Sequence, residues 1–227
     1  LYLQDNGKLG WNQSTGKNGF SEYISDPNKP VPYTEDVHFQ RTREYMTDDQ
    51  RFASRRPDVL VFQTDTLSSD ITVTGNITAN LYAGISTTNA DFIVKVIDVF
   101  PDNFRYGNEE QTMGRALSRT YPMGGYQMLV HGEVFRGKFC KSFEKPTPFI
   151  PNKVEVVNFK VGDMAHTFKK GHRIMVQIQS SWFPLVDRNP QKFENIYAAD
   201  PQDFQKATIK IYHNTQYPSS INLPLLK

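Results

Sequence analysis

Strict alternation of apolar and polar side chains constrains this chain most. From His172 to Ser180, Ile174, Val176 and Ile178 alternate with Arg173, Met175, Gln177 and Gln179. Successive side chains of an extended chain point to opposite faces, so the run reads as a half-buried strand, one face in the core and one in water. Ala207 to His213 repeats the pattern, with Ile209 and Ile211 opposed to Thr208, Lys210 and Tyr212. Asp91 to Phe100 is apolar on both faces except at Lys95 and Asp98, the mark of a central strand. Asp58 to Gln63, Ile71 to Ile77, Asn80 to Ser86, Tyr126 to Phe135 and Val154 to Val161 are further strand segments. Turn signals punctuate the runs, clearest at Asp5-Asn6-Gly7, Thr74-Gly75-Asn76 and Lys170-Gly171-His172, and Lys169-Lys170-Gly171 turns the chain into the Ile174 run. This rhythm predicts an all-β sandwich. Helix signals are confined to Gln111 to Leu117 and a turn at Arg51 to Arg55, both too short to stand without packing.

The first fifty-odd residues differ in texture. Three prolines in Ser25 to Pro32 remove donors and fix φ, which predicts an extended surface strap. Thr34 to Arg56 is charged and irregular, yet Tyr45, Met46 and Phe52 need cover, so it is expected to lie against something. The organisation expected is one structural domain, with a strap at residues 1–56 and a sandwich at 57–227. The chain opens Leu1-Tyr2-Leu3 without Met, and is expected to be cut from a longer one.

Composition narrows the function classes. Lys plus Arg is 26 and Asp plus Glu is 24, a net charge of +2, which argues against nucleic-acid or membrane-surface partners. No apolar run reaches the roughly 18 residues of a membrane-spanning helix. One cysteine, Cys140, excludes an intrachain disulfide and a cysteine-rich zinc site.

Tests for chemistry return little. A serine-hydrolase elbow needs glycines on both sides of its serine, because the turn is too tight for side chains. Gly19-Phe20-Ser21 and Gly84-Ile85-Ser86 come nearest, and neither has the second glycine. The five histidines, His38, His131, His166, His172 and His213, form no close ligand pair and read as packing or strand-edge residues. Gly124-Gly125 precedes a strand instead of opening a helix, so no phosphate cradle is expected. Asp98, Asp102 and Asn103 sit near one strand end, as do Asp187 and Asn189, but with no EF-hand or Asp-rich repeat a solvated loop accounts for them better than Ca²⁺. No cofactor and no metal are expected. Trp182-Phe183-Pro184-Leu185, followed by Asp187-Arg188-Asn189-Pro190, admits three readings: a core plug with a salt-bridged turn, a docking surface, or a sugar-stacking platform.

The run Gly171 to Pro184 with Asp187-Arg188-Asn189-Pro190 resembles the C-terminal domain of the X-prolyl dipeptidyl-peptidase and cocaine esterase (CocE/NonD) superfamily. Within it the resemblance is closest to α-amino acid ester hydrolases and glutaryl (cephalosporin) acylases. The Ser25 to Pro32 strap, Asp48 to Phe52, Arg56 to Leu60, Asp91 to Pro101, Glu133 to Gly137 and Ser142 to Pro146 agree with it in order. The resemblance implies a jelly-roll β-sandwich, galactose-binding-domain-like, that follows an α/β-hydrolase domain and a helical cap. The upstream part would carry the serine, aspartate and histidine of catalysis, and this domain none. It implies packing on that catalytic domain, with Val31 to Arg51 near the substrate cleft, and homo-oligomer contacts of the parent. Tyr33, Asp48, Asp49, Arg51, Trp182, Phe183, Asp187 and Arg188 are then the interdomain or cleft-facing candidates. For Asp48, Asp49, Asp187 and Arg188, local turn stabilisation is the other reading. Scarce cysteine suits either side of a bacterial inner membrane, so the compartment stays open, with a periplasmic or secreted parent favoured over a cytoplasmic one. The alternative function is an independent carbohydrate-binding module, since fold alone does not fix function.

Overall fold

Eleven strands account for the alternating runs in the computed structural model, which describes residues 1–40, 42–105 and 122–226. They are β1 (Tyr2–Gln4), β2 (Lys8–Gly10), β3 (Phe20–Ser25), β4 (Leu60–Gln63), β5 (Ile71–Ile85), β6 (Asp91–Val99), β7 (Gln127–Arg136), β8 (Val154–Phe168), β9 (Arg173–Gln179), β10 (Ala207–Tyr212) and β11 (Ser220–Asn222). One helical turn, α1 (Arg51–Ser54), stands where the sequence signals one. The helix expected at Gln111 to Leu117 lies outside the described residues.

Hydrogen bonding runs continuously in the order β3-β10-β5-β11-β1-β2-β4-β9-β6-β7, with β8 paired along β5. The sheet folds over itself into two layers. Val73, Ile77, Leu81 and Ile85 of β5, with Ile209 and Ile211 of β10, meet Phe92, Val94 and Val96 of β6 and Ile174, Val176 and Ile178 of β9 in one buried core. Those of β9 and β10 are the inward members of alternating runs, so there the sequence period sets which atoms leave water; β6 is buried on both faces. Gly171 turns the chain into β9 at φ +88°, as its position in Lys169-Lys170-Gly171 predicts.

Four expectations are corrected. Thr74-Gly75-Asn76 is no turn; β5 runs unbroken through it, paired to β8. Gly75 is used for its φ of +123° and for the closeness of Pro224, which a Cβ would meet at 3.2 Å. β8 extends seven residues past Val161, continuing the pairing with the first half of β5. Residues 1–25 supply three strands, so the segment with no strand is 26–59. β3 escapes sequence reading because its pattern is inverted: Phe20 and Ile24 face out, while Ser21, Tyr23 and Ser25 face in. Finally, the polar face of β9 is not in water. Met175, Gln177 and Gln179 are buried, because another segment covers them.

Candidate functional site

That cover is the strap. Its residues cross the outer face of β6, β7 and β9 and are tied there by backbone. Tyr33 N–H donates to the Phe183 carbonyl and Phe183 N–H to the Val31 carbonyl, each at 2.9 Å. Val31 N–H donates to Ser181 Oγ at 2.8 Å. Gln50 N–H donates to the Gln127 carbonyl at 3.0 Å. The apolar seam beneath is Tyr33, Ile93 and Trp182, packed with Tyr45, Leu129, Val134, Leu185 and Val186. Tyr45 stands edge-on to Trp182 at 5.8 Å, a favoured aromatic geometry.

The seam is also polar. Lys95 is fully buried and donates to Gln50 Oε1 at 3.0 Å. Gln177 Nε2 donates to the Gln50 carbonyl at 3.3 Å. Gln127 Oε1, Gln177 Oε1, Gln179 Oε1 and Trp182 Nε1 are buried without a protein partner. Each such group costs on the order of 1–3 kcal/mol. The strap is therefore held less firmly than the largely apolar core between the two layers.

On its solvent side the strap presents apolar groups. Val37 and Phe39 are fully exposed, and Met46 is about half exposed. Between them and the Trp182 segment lies a cavity of about 180 Å³, lined by Tyr33, His38, Phe39, Gln40, Pro184 and Leu185. The Phe183–Pro184 peptide is cis. Asp48 Oδ2 accepts from Glu35 N–H at 3.0 Å, and Thr34 Oγ1 donates to the Asp36 carbonyl at 2.7 Å, which shapes the loop carrying Val37 and Phe39.

Two histidine centres lie elsewhere. Asp98 is buried at one end of the sandwich, where His172 Nδ1 meets its Oδ1 at 2.8 Å and His166 Nε2 its Oδ2 at 2.9 Å. The carboxylate thereby ties β6 to β8, across the two layers, and to the turn before β9. The oxygen-rich groupings considered for Ca²⁺ do not assemble: Asp98 is taken by the imidazoles, and Asn189 Nδ2 donates to Asp91. Among the described residues no cluster of three or more metal-ligating side chains forms. The second centre has the residue types of a catalytic triad. Ser21 Oγ lies 3.0 Å from His213 Nε2, and His213 Nδ1 lies 3.4 Å from Asp5 Oδ1. Its environment differs from a working triad. Asp5 is largely exposed, and the longer contact leaves Nδ1 without a hydrogen bond. Burial pushes the His213 pKa down, with Asp5 opposing it only in part. Neither Ser21 nor His213 lines the cavity beside the strap.

Residues 1–222 match the X-Pro dipeptidyl-peptidase C-terminal non-catalytic domain. The chain belongs to this family. Cocaine esterase from Rhodococcus sp. (strain MB1 Bresler) is 30% identical over 213 residues, 94% of this chain and 33% of that protein. An aminopeptidase from a marine sediment Thaumarchaeota archaeon superposes over 100% of this chain and 36% of its own, with a TM-score of 0.88 and 40% identity. An α-amino acid ester hydrolase superposes over 99% of this chain and 36% of its own, with a TM-score of 0.88 and 41% identity. A CocE/NonD hydrolase from Staphylococcus aureus, at 14% identity and a TM-score of 0.60, shares the fold. The chain spans about a third of the length of these relatives. The family is described as non-catalytic, in keeping with the missing elbow and the unbonded Nδ1 of His213.

For a domain of the X-Pro dipeptidyl-peptidase C-terminal family, the sequence candidates divide by depth. Tyr33 and Trp182 are buried in the seam, so Trp182 is a plug between sheet and strap and offers no flat face to a sugar. Asp49 is buried too; its Oδ2 accepts from Arg51 Nε at 2.7 Å and its Oδ1 from Gln127 N–H at 3.3 Å. Asp49 thus joins Arg51 to the start of β7, while Asp48 holds Glu35 within the strap. Phe183 is partly exposed beside the cavity wall at Pro184. The expected salt bridge in the Asp187-Arg188 turn is absent: Asp187 is exposed, and Arg188 donates to the Pro27 carbonyl at 3.1 Å while lying over Phe204 at 4.9 Å. Stacking on a ring and a carbonyl on the strap satisfy the guanidinium better than a solvated carboxylate. Sequence reading missed Val37 and Phe39. Their signal was present: two large apolar residues flank His38 inside a charged stretch with no period to bury them.

Proposed function

We propose that this chain is the C-terminal domain of a serine ester or amide hydrolase. It packs on the α/β-hydrolase domain of the same polypeptide and walls one side of the substrate cleft. The parent reaction is acyl transfer from serine to water, on small esters or amides with an α-amino or related acyl group. What carries the reading is the loop with Val37 and Phe39, two large apolar side chains held wholly in solvent on a strap tied to a stiff sheet. Burying such a pair against a partner contributes roughly 1.5–3 kcal/mol per side chain. A chain that spent these residues on nothing would leave them for aggregation. Relatives named as an esterase, an ester hydrolase and an aminopeptidase, each about three times longer than this chain, support the same reading. A rigid wall serves such chemistry by excluding water and shaping the cleft from outside the reacting groups.

Phe39→Asp tests it. In the full-length parent, kcat/KM falls at least tenfold, while this chain on its own keeps its melting temperature within a degree or two. Unchanged activity in the parent would refute the docking role of the loop.

A further inference from the structure

Between strap and sheet sits an amine with no counter-charge. Lys95 lies mid-strand on β6, and its Nζ reaches Gln50 Oε1 at 3.0 Å, the Trp182 ring at 4.9 Å and the Phe52 ring at 5.8 Å. All three partners belong to the strap or the Trp182 segment. The sheet contributes only Gly132 and Gln177, the cross-strand neighbours of Lys95 on β7 and β9. Charged groups on the surrounding elements are engaged elsewhere or lie in water. On β6 itself, Asp91 pairs with Arg136 and Asp98 with two imidazoles. On the strap, Asp49 pairs with Arg51. On β7, Glu133 accepts from the Val134 N–H. Arg173 lies at the exposed start of β9. On the Trp182 segment, Arg188 takes the Pro27 carbonyl and Asp187 is exposed.

We propose that Lys95 makes the strap a pH-responsive cover: protonation of its amine favours lifting of the strap and the Trp182 segment, and neutralisation favours their seating. The physical reason is hydration. An ammonium in the closed seam has one acceptor and two ring faces, and regains its water only when the cover lifts. A neutral amine needs little more than Gln50 Oε1, which it already has. Burial pushes the pKa of Lys95 from 10.5 down to about 7. The sign follows from linkage. The lifted state binds the proton more tightly, so between about pH 7 and 10.5 the opening constant rises as pH falls; below 7 both states are protonated and it levels. The consequence for docking rests on the function proposed above, since the same cover carries Val37 and Phe39.

Hydrogen exchange on this chain tests the cover directly. The reporters are the amides of Tyr33, Gln50 and Phe183, whose hydrogen bonds break when the strap lifts. After correction for chemical exchange, their opening constants should rise about ninefold from pH 9 to 8 and about fivefold from pH 8 to 7, where levelling begins. In Lys95→Met they should be flat with pH. In Gln50→Glu, which sets a carboxylate beside the amine, the levelling should begin more than one pH unit higher. A pH-independent opening constant in the unaltered chain, the same slope in Lys95→Met, or an unmoved plateau in Gln50→Glu would each overturn the proposal. These measurements need no partner, so they can fail while the Phe39→Asp assay succeeds, and the reverse.

Discussion

Lys95 and Asp98 are three residues apart on one strand, and both are buried ionisable side chains. Their parity differs, so they face opposite sides of β6 and meet opposite fates. Asp98 points between the layers and is matched by two imidazoles. Lys95 points under the strap and is matched by no carboxylate. The contrast between residue types and residue roles is sharpest at Ser21. A hydroxyl 3.0 Å from an imidazole is the first requirement of a nucleophile. A buried orienting carboxylate, oxyanion donors and a seat for the substrate are the others. The expected outcome is p-nitrophenyl ester hydrolysis by this chain at the buffer rate, unchanged by Ser21→Ala. Turnover that disappears on that substitution would make this centre catalytic.

At the scale of elements, two glycines decide how strands meet their neighbours. Gly132, opposite Lys95 on β7, leaves the flat spot on which the Trp182 ring and the Lys95 stem lie; a Cβ there would meet them at 3.2 and 3.3 Å. Gly162 sits where the pairing of β5 and β8 shifts register, at φ +128°, with the His131 ring 2.2 Å from where a Cβ would be. Gly132→Ala should cost about 1–3 kcal/mol in urea unfolding through overpacking. Gly162→Ala should cost more, because steric overlap adds to a backbone conformation that L-residues avoid. A Gly162→Ala chain as stable as the Gly132→Ala chain would show that the bulge can relax. The strap is an element of another kind. Its proline-fixed backbone was legible, and so was its need for cover at Tyr45 and Phe52. What it covers was not, because Gln177 and Gln179 look in sequence like the wet face of a strand.

At the scale of the molecule, two surfaces compete for a role. Phe20, Tyr212, Tyr217 and Tyr82 gather on the outer face of the other layer, but successive rings are tilted by 47°, 66° and 46°. Sugars stack on a flat platform, and this cluster gives none. The chain should migrate unretarded through gels containing soluble glycans; retardation abolished by Tyr212→Ala would revive the binding-module function. The strap face, with its exposed apolar loop beside a cavity, is the better docking surface.

The sequence by itself determined the two-layer β architecture. Side-chain alternation is a local property of an extended backbone, and the burial of Ile174, Val176, Ile178, Ile209 and Ile211 follows from it without knowing any neighbour. The strap, the turn at Gly171 and the lack of an elbow were legible for the same reason. Tertiary structure alone decided the rest: the inverted β3, the second burial of β9 and the pairing of Asp98 with His166 and His172. Each depends on which segment lies over which. That depends on contacts between residues tens to hundreds of positions apart, which no local pattern encodes.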